Sequence, residues 1–152
     1  MNYFEVKVKY LQQQSDNKLK PVCVTYLIAT ETFADAEKKA LEEIAPFAFA
    51  GSTPLIVSIK RVKIDEVQRK KDGAFFYLAK VNMFVFDDHI CKEKKSSINI
   101  LVQSNSIEDA NKEVKAVLAD SISDWSVDTI KETPIIEVLG IRQEHVDAAN
   151  NA

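Results

Sequence analysis

A pattern of an apolar run followed by a helix start occurs twice in this chain, at residues 24–36 and at residues 98–110, a shift of 74 positions. Each copy begins with apolar and β-branched residues, which is typical of a strand buried on both faces. A hydroxyl residue then precedes a helical pattern, Thr32 in the first copy and Ser106 in the second, as expected of a helix N-cap. The repeat therefore predicts a duplicated unit in which a central strand runs into a capped helix.

The segments on either side of the two copies also correspond. Before each copy lies another predicted strand, at residues 4–10 and 76–86, joined to the copy by a polar hairpin loop. After each helix lies a third predicted strand, at residues 55–67 and 125–138, where the shift falls to 71 positions. We expect Pro134 to force an edge position or a bulge in the last strand, because proline cannot donate to a ladder.

The two helices are predicted to bury one face each, because apolar residues recur at spacings of three and four. The predicted faces are Phe33, Ala36, Ala40, Ile44 and Phe47 in the first helix, and Ile107, Ala110, Val114, Val117 and Leu118 in the second.

These patterns predict an α+β fold made of two tandem β-β-α-β units related by a pseudo-twofold axis. In each unit the third strand is expected beside the first and antiparallel to it, giving a three-stranded mixed sheet with a helix packed on it. We expect a single domain over residues 1–140, with repeats at 3–67 and 76–138, followed by a polar tail at 141–152.

Charge and composition narrow the classes of function. The net charge of −3 argues against a simple polyanion binder. No apolar run reaches the roughly 18 residues of a membrane helix, and no signal-peptide pattern opens the chain. The two cysteines make no disulfide framework and fit a reducing compartment. We therefore predict a cytoplasmic protein without a membrane segment.

Only residues 87–91, with the sequence DDHIC, bring metal-ligand and nucleophile types close together. Their spacing matches no standard zinc site, and the other histidine, His145, lies in the predicted tail. A solvated hairpin tip is the simpler interpretation. No glycine-rich phosphate loop, nucleophile elbow, HExxH helix or CxxC pair is present. The sequence therefore predicts no catalytic residue, no metal site and no cofactor, and favours a protein that is not an enzyme.

The repeat places two pairs of lysines in equivalent strand positions, Lys7 with Lys80 and Lys60 with Lys131. Because pockets favour interfaces, we expect these lysines near a seam between the halves, where they would bind an anionic ligand. A solvated sheet face is the alternative. The strands also hold many aromatic residues, which either pack in the core or form an exposed stacking surface. They are Tyr3, Tyr10, Tyr26, Phe76, Tyr77, Phe84, Phe86 and Trp125.

Several segments resemble a family of domains of unknown function. In the first half they are NYFEVKVKY (2–10), FADAE (33–37) and SIKR (58–61), and in the second KV (80–81), EKK (93–95), NILVQ (99–103) and ET (132–133). The resemblance covers most of the chain up to about Val138, and the opening segment is its most specific part. Members of this family are common in Bacteroides-group bacteria and in their phages and mobile elements, so the resemblance implies a phage or mobile-element origin. It brings no catalytic residues with it.

Three functional hypotheses follow. The first is a non-enzymatic binding protein of phage type, acting in the host cytoplasm, that sequesters a small anionic ligand such as a nucleotide or blocks a host protein, in the manner of an anti-defence factor. The second is an accessory protein that binds single-stranded nucleic acid through sheet aromatics and lysines, against which the acidic balance counts. The third is an enzyme that uses the 87–91 loop. A homo-oligomer is compatible with the first two.

Overall fold

The computed structural model describes residues 2–140, and these divide into two compact units. Unit 1 takes the described residues up to Lys63 and those from Pro134 onward, and unit 2 takes Ile64–Thr133. Unit 1 contains β1 (Asn2–Gln13), β2 (Leu19–Thr30), α1 (Phe33–Ile44), a 3-10 turn (Ala45–Phe47), β3 (Leu55–Val62) and β8 (Ile135–Leu139). Unit 2 contains β4 (Glu66–Gln68), β5 (Phe75–Asp87), β6 (Lys92–Ser104), α2 (Ile107–Leu118) and β7 (Asp124–Glu132). The predicted tail and His145 lie outside the described residues.

Each unit is built on one four-stranded mixed sheet. The strand order is β3-β1-β2-β8 in unit 1 and β7-β5-β6-β4 in unit 2. In both, the first three strands of the order are antiparallel neighbours, and the short fourth strand runs parallel to its neighbour. The α+β fold class is confirmed, as is the placement of the third strand beside the first.

Two strand predictions are wrong, because the segments 55–67 and 125–138 are each broken into two strands that belong to different sheets. The first break falls before β4, where the Asp65 N–H donates to the carbonyl of Asn99 at 2.8 Å. The Asp65 carboxylate in turn accepts from the Asn99 N–H at 2.7 Å. These bonds begin the pairing of β4 with β6. β4 therefore adds a fourth strand to the sheet of unit 2, where the sequence predicted three.

The second break falls at Thr133 and Pro134. The backbone N–H and the hydroxyl of Thr133 both donate to the carbonyl of Phe76, each at 2.9 Å, and this ends the ladder of β7 on β5. Pro134 has no N–H to continue that ladder. β8 then begins at Ile135 beside β2 of unit 1.

The two helices begin where the sequence predicts. The Thr32 hydroxyl accepts from the Asp35 N–H at 3.1 Å, and the Ser106 hydroxyl accepts from the Asp109 N–H at 3.1 Å. Such a side-chain cap satisfies one of the free amides of the first turn, and its removal costs about 1 kcal/mol. The central strands β2 and β6 have buried runs, residues 25–30 and 100–102, in which both faces are shielded, as predicted.

The predicted helical faces are confirmed at six positions and wrong at three. Ala36, Ala40 and Ile44 are buried in unit 1, and Ala110, Val114 and Leu118 are buried in unit 2. Phe33, Phe47 and Ile107 are about half exposed. Phe33 and Ile107 are the first residues of their helices, and Phe47 belongs to the 3-10 turn beyond α1, so none of the three is held over the middle of its sheet. Phe33 still packs against the buried ring of Phe4, at a centroid distance of 4.7 Å.

The two sheets match in register as well as in strand order. Lys7 lies opposite Ser58 in unit 1, and Lys80 lies opposite Thr129 in unit 2. The pairing slips by one residue directly after each of these lysines, so both sheets carry an irregularity at the same place. The predicted duplication of the chain stays a prediction.

Candidate functional site

Lys7 and Lys60 lie together on one face of the sheet of unit 1. Val6 and Val8 pack in the core beneath α1, so Lys7 between them points to the opposite, helix-free face. Lys60 lies directly opposite Glu5 on that same face. Since Lys7 is two residues from Glu5, the two lysines are diagonal neighbours, with Cβ atoms roughly 7–8 Å apart.

Glu5 partly neutralises this pair. Its carboxylate lies 3.9 Å from the Lys60 ammonium, and the Lys60 side chain is 67% exposed. An ion pair with this much water around it contributes little to stability. The ion pair matters more for ligand binding than for stability, because the Glu5 charge repels any anion that approaches Lys7 and Lys60.

Lys80 and Lys131 repeat the arrangement in unit 2 without the acid. Lys131 lies opposite Leu78, and Leu78 occupies the place that Glu5 has in unit 1. Both lysines are exposed, and neither has an ion-pair partner within residues 2–140. Thr129 and Asn99 lie directly opposite Lys80 on its two sides. We call these four polar residues, Lys80, Lys131, Thr129 and Asn99, the unit 2 lysine patch.

The sequence predicted that all four lysines line one seam between the halves. The fold brings Lys7 together with Lys60 and Lys80 together with Lys131, each pair within one unit. A shared ligand bound by all four stays a prediction.

The 87–91 segment forms the exposed turn between β5 and β6. Asp87 accepts from the Lys94 ammonium at 2.7 Å and from the His89 N–H at 2.9 Å, and the Lys94 hydrogen bond is the main cause that lowers the pKa of Asp87. Cys91 is exposed, with φ of +51°, and its Sγ lies 3.6 Å from the Asp88 carbonyl. Across residues 2–140 no group of three or more His, Cys, Asp or Glu side chains is placed to hold a metal ion. The geometry is that of a solvated hairpin tip.

The aromatic residues divide between the core and the surface. Tyr10, Tyr26, Phe76 and Tyr77 are buried, which fits core packing. Tyr3, Phe84 and Trp125 are partly buried, and Phe86 is 60% exposed. Phe84 and Phe86 share the helix-free face with Lys80, because they are separated from it by even numbers of residues along β5.

Two concave regions were not predicted from the sequence. The first is an open groove in unit 2 between α2 and β7, with a volume of about 660 Å³, whose walls include Glu108, Lys115, Trp125 and Asp128. Acidic and basic side chains both line the groove, so its charges favour neither an anionic nor a cationic ligand. The second is a smaller pocket of about 280 Å³ in unit 1, where Tyr10 and Tyr26 meet the end of α1 and β8.

A signal for this smaller pocket was present in the sequence. At the positions that the repeat makes equivalent to Tyr10 and Tyr26, unit 2 has Met83 and Ile100. The contrast between phenols and aliphatic side chains at matched core positions is visible in the sequence, but the pocket itself is not.

Comparison with known proteins places the chain in a family. Residues 2–141 match the family described as Domain of unknown function (DUF4494). The chain belongs to this family. The match covers both units and so includes both lysine pairs and the smaller pocket. No curated protein and no solved structure gives a significant match. Within residues 2–140, no helix has the length and apolar character needed to cross a bilayer.

Proposed function

We propose that this family member is a binding protein whose ligand carries an anionic group, and that the unit 2 lysine patch holds that group. The observation that carries the proposal is the contrast between the two sheets. Lys60 faces a carboxylate in unit 1, whereas Lys131 faces Leu78 in unit 2. Because Lys80 and Lys131 form no ion pair in the described part of the chain, they leave a positive charge that an anion can neutralise. The Asp65 carboxylate, which accepts from the Asn99 N–H, reduces this charge in part.

The energetics favour a ligand that contacts both lysines. Two ammonium groups about 7 Å apart in water repel by roughly 0.6 kcal/mol, and an anion placed between them converts that repulsion into two attractions. Lysine is a flexible point charge, so it suits phosphate oxygens better than it fixes a planar carboxylate. Thr129, which lies directly opposite Lys80, adds a hydroxyl that can donate to the same group.

In its more specific form, the proposal is that a phage or mobile-element protein acts in the host cytoplasm by sequestering a nucleotide or by blocking a host protein. The support for this form is the resemblance given above. It needs no catalytic group, and it is compatible with a homo-oligomer.

The test is a thermal-shift and calorimetric screen of pyrophosphate, nucleotides and cyclic nucleotides. A ligand at a hundredfold excess over Kd should stabilise the protein by about 2.7 kcal/mol. Lys80→Ala and Lys131→Ala should each weaken binding. Lys112→Ala is the matched control, because Lys112 is an exposed residue of α2 and its loss changes the net charge equally. A flat screen, or equal loss in all three variants, would contradict the proposal.

One observation favours single-stranded nucleic acid as the second candidate. Phe84 and Phe86 lie on the face that carries Lys80, and Lys95 lies opposite Phe84. Bases could stack on these rings while the lysines contact the phosphates. Glu93 opposite Phe86 counts against it.

A salt titration of binding to labelled oligothymidylate distinguishes the nucleic-acid candidate from the small-anion candidate. Nucleic-acid binding should weaken steeply with salt and fall in Phe86→Ala. Phe75→Ala is the control, because Phe75 is also an exposed aromatic residue of β5, 44% exposed, but lies on the other face of the strand. No retention at low salt would remove this candidate and leave the small anion.

A further inference from the structure

The pocket of unit 1 lies where α1 ends. Its floor is formed by Tyr10 of β1 and Tyr26 of β2, and its walls come from Glu43, Phe47 and Glu137. All of these residues belong to unit 1. Its volume of about 280 Å³ is just below the range of pockets that take drug-sized ligands, so it suits a group the size of one amino-acid side chain.

Polar atoms without protein partners face this pocket. Neither the Tyr10 nor the Tyr26 hydroxyl forms a hydrogen bond with another residue in the described range 2–140. Neither hydroxyl is sealed from solvent, since Ser104 Oγ is the one sealed and unpaired side-chain atom of that range. The two rings are nevertheless buried, with 7% and 3% of their surface exposed. Both hydroxyls are therefore available to a ligand in the pocket.

The two charged side chains that line the pocket are both acidic. Glu43 and Glu137 line it, and no lysine or arginine does. One oxygen of Glu137 accepts the Val138 N–H at 3.0 Å, which orients its carboxylate. The carbonyl end of α1, where the helix dipole is negative, lies at the pocket. No basic residue in the last turn of α1 compensates this dipole, whereas α2 has Lys115 in its last turn.

The behaviour of Tyr26 agrees with this field. Burial first, and then the charges of Glu43, Tyr10 and Glu137, raise the pKa of Tyr26 to about 12. Burial disfavours a charge of either sign, but the nearby carboxylate charge that disfavours a phenolate favours a cation.

The fold does not need these groups. At the equivalent positions of unit 2 the chain has Met83, Ile100 and Val117 in place of Tyr10, Tyr26 and Glu43. Met83 and Ile100 pack in the core of unit 2. An aliphatic set therefore builds the same corner of the sheet, and the phenols and the carboxylate of unit 1 are extra to it.

We propose that this pocket binds an organic cation, a primary ammonium or guanidinium group on a short apolar stem. The charged head lies against the carboxylate of Glu43 and donates to the tyrosine hydroxyls. The stem packs on Ile44 and Ile136, and the ring of Phe47 adds a cation–π surface at the rim. A free alkylamine and an arginine or lysine side chain of another protein both have this chemistry.

The experiment compares n-butylguanidine with n-butylurea, its neutral isostere, by NMR titration and calorimetry of the full chain. Butylguanidine should bind at least about tenfold more tightly, because only it makes charge-assisted hydrogen bonds. Glu43→Gln should lower its affinity by a similar factor. Glu42→Gln is the matched control, because Glu42 is an exposed neighbour on α1 outside the pocket. Equal binding of the two compounds, no binding, or equal loss in both variants would overturn the proposal.

Two further arms make the test sharper. Tyr26→Phe removes one hydroxyl and leaves the ring. Weaker butylguanidine binding in this variant, with an unchanged melting temperature, supports the assigned contact, and unchanged binding contradicts it.

A capped pentapeptide with a central arginine identifies the source of the cation. Binding of the peptide as tight as that of butylguanidine supports a protein side chain, and exclusion of the peptide supports a free amine. The outcome is independent of the anion screen, which concerns the other unit.

Discussion

The ammonium of Lys60 lies 3.9 Å from the carboxylate of Glu5 across β1 and β3. We expect Glu5→Gln to raise the affinity of unit 1 for pyrophosphate about fourfold, since removing one charge roughly 5 Å away in water is worth about 0.8 kcal/mol. Stability should change by less than about 0.5 kcal/mol, because the Lys60 side chain is largely exposed and its ammonium lies 3.9 Å from the carboxylate. Calorimetry on a Lys80→Ala background isolates this site. Leu78→Gln, a polar change without a charge, is the control and should leave unit 1 binding unaltered.

Gly140 follows β8 with φ of +85°, and a methyl group there would collide with the carbonyl oxygen of Ala29. Gly140→Ala should destabilise the protein by about 3 kcal/mol or more, from the left-handed backbone and the collision together. Gly51 has nearly the same φ, +86°, but open space around it, so Gly51→Ala should cost only about 1 kcal/mol. Urea denaturation of both variants measures the difference. Equal losses would show that the collision is relieved at no cost.

Ser104 has a fully buried hydroxyl without a hydrogen-bond partner in the described part of the chain. Ser104→Ala should therefore be neutral or should stabilise the fold by up to about 1 kcal/mol, because it removes an unpaid desolvation cost. Ser106, two residues on, caps α2, and Ser106→Ala should cost about 1 kcal/mol. Thermal unfolding of the two variants should thus shift in opposite directions. A clear loss in Ser104→Ala would mean that its hydroxyl has a partner in solution.

Tyr26 should make stability depend on pH in the alkaline range. Its pKa is raised from 10.0 to about 12, so the folded state favours the neutral phenol. This contribution is complete below pH 10 and is lost as the pH rises from there to about 12. The phenolate absorbance of the wild type minus that of Tyr26→Phe reports this one titration. Glu43→Gln should move it to lower pH, and Glu42→Gln should leave it in place.

The local parts of the fold could be predicted because each rests on a few neighbouring residues. Thr32 and Ser106 cap helices wherever the chain takes them, and alternation from Phe4 to Tyr10 marks a buried face in any sheet. The two strand breaks could not be predicted, because β-type residues continue on both sides of Asp65 and Thr133. Pro134 predicts an edge position or a bulge, but it does not predict that the chain continues in the other sheet. The hydrogen-bond partners at the two breaks, Asn99 and Phe76, lie more than 30 residues away, and periodicity carries no information about which sheet a strand joins.

The candidate sites were predictable to a different degree. The repeat predicts that Lys7 is equivalent to Lys80 and that Lys60 is equivalent to Lys131, but it does not predict which lysines are neighbours. The strand pairing was needed to place Lys7 beside Lys60 and Lys80 beside Lys131. The contrast between Glu5 and Leu78 needed the register, since only the pairing puts them opposite Lys60 and Lys131. Tyr10 and Tyr26 had been assigned to the core or to a stacking surface, and their rings are buried. Their hydroxyls open into a pocket because α1 ends beside them, which sequence periodicity does not reveal.

Unit 1 is made of two separate segments of the chain, one ending at Lys63 and one beginning at Pro134, so the two units are completed at different times during synthesis. Unit 2 is one continuous segment, so all of its strands have left the ribosome once Thr133 is free. Unit 1 begins earlier but receives β8 last, and until then β2 has an unpaired edge along Thr25–Ile28. An exposed edge of this kind recruits other strands. Unit 1, whose synthesis begins first, is therefore completed after unit 2. Until β8 has been synthesised, the exposed edge of β2 can bind a chaperone or pair with the wrong strand.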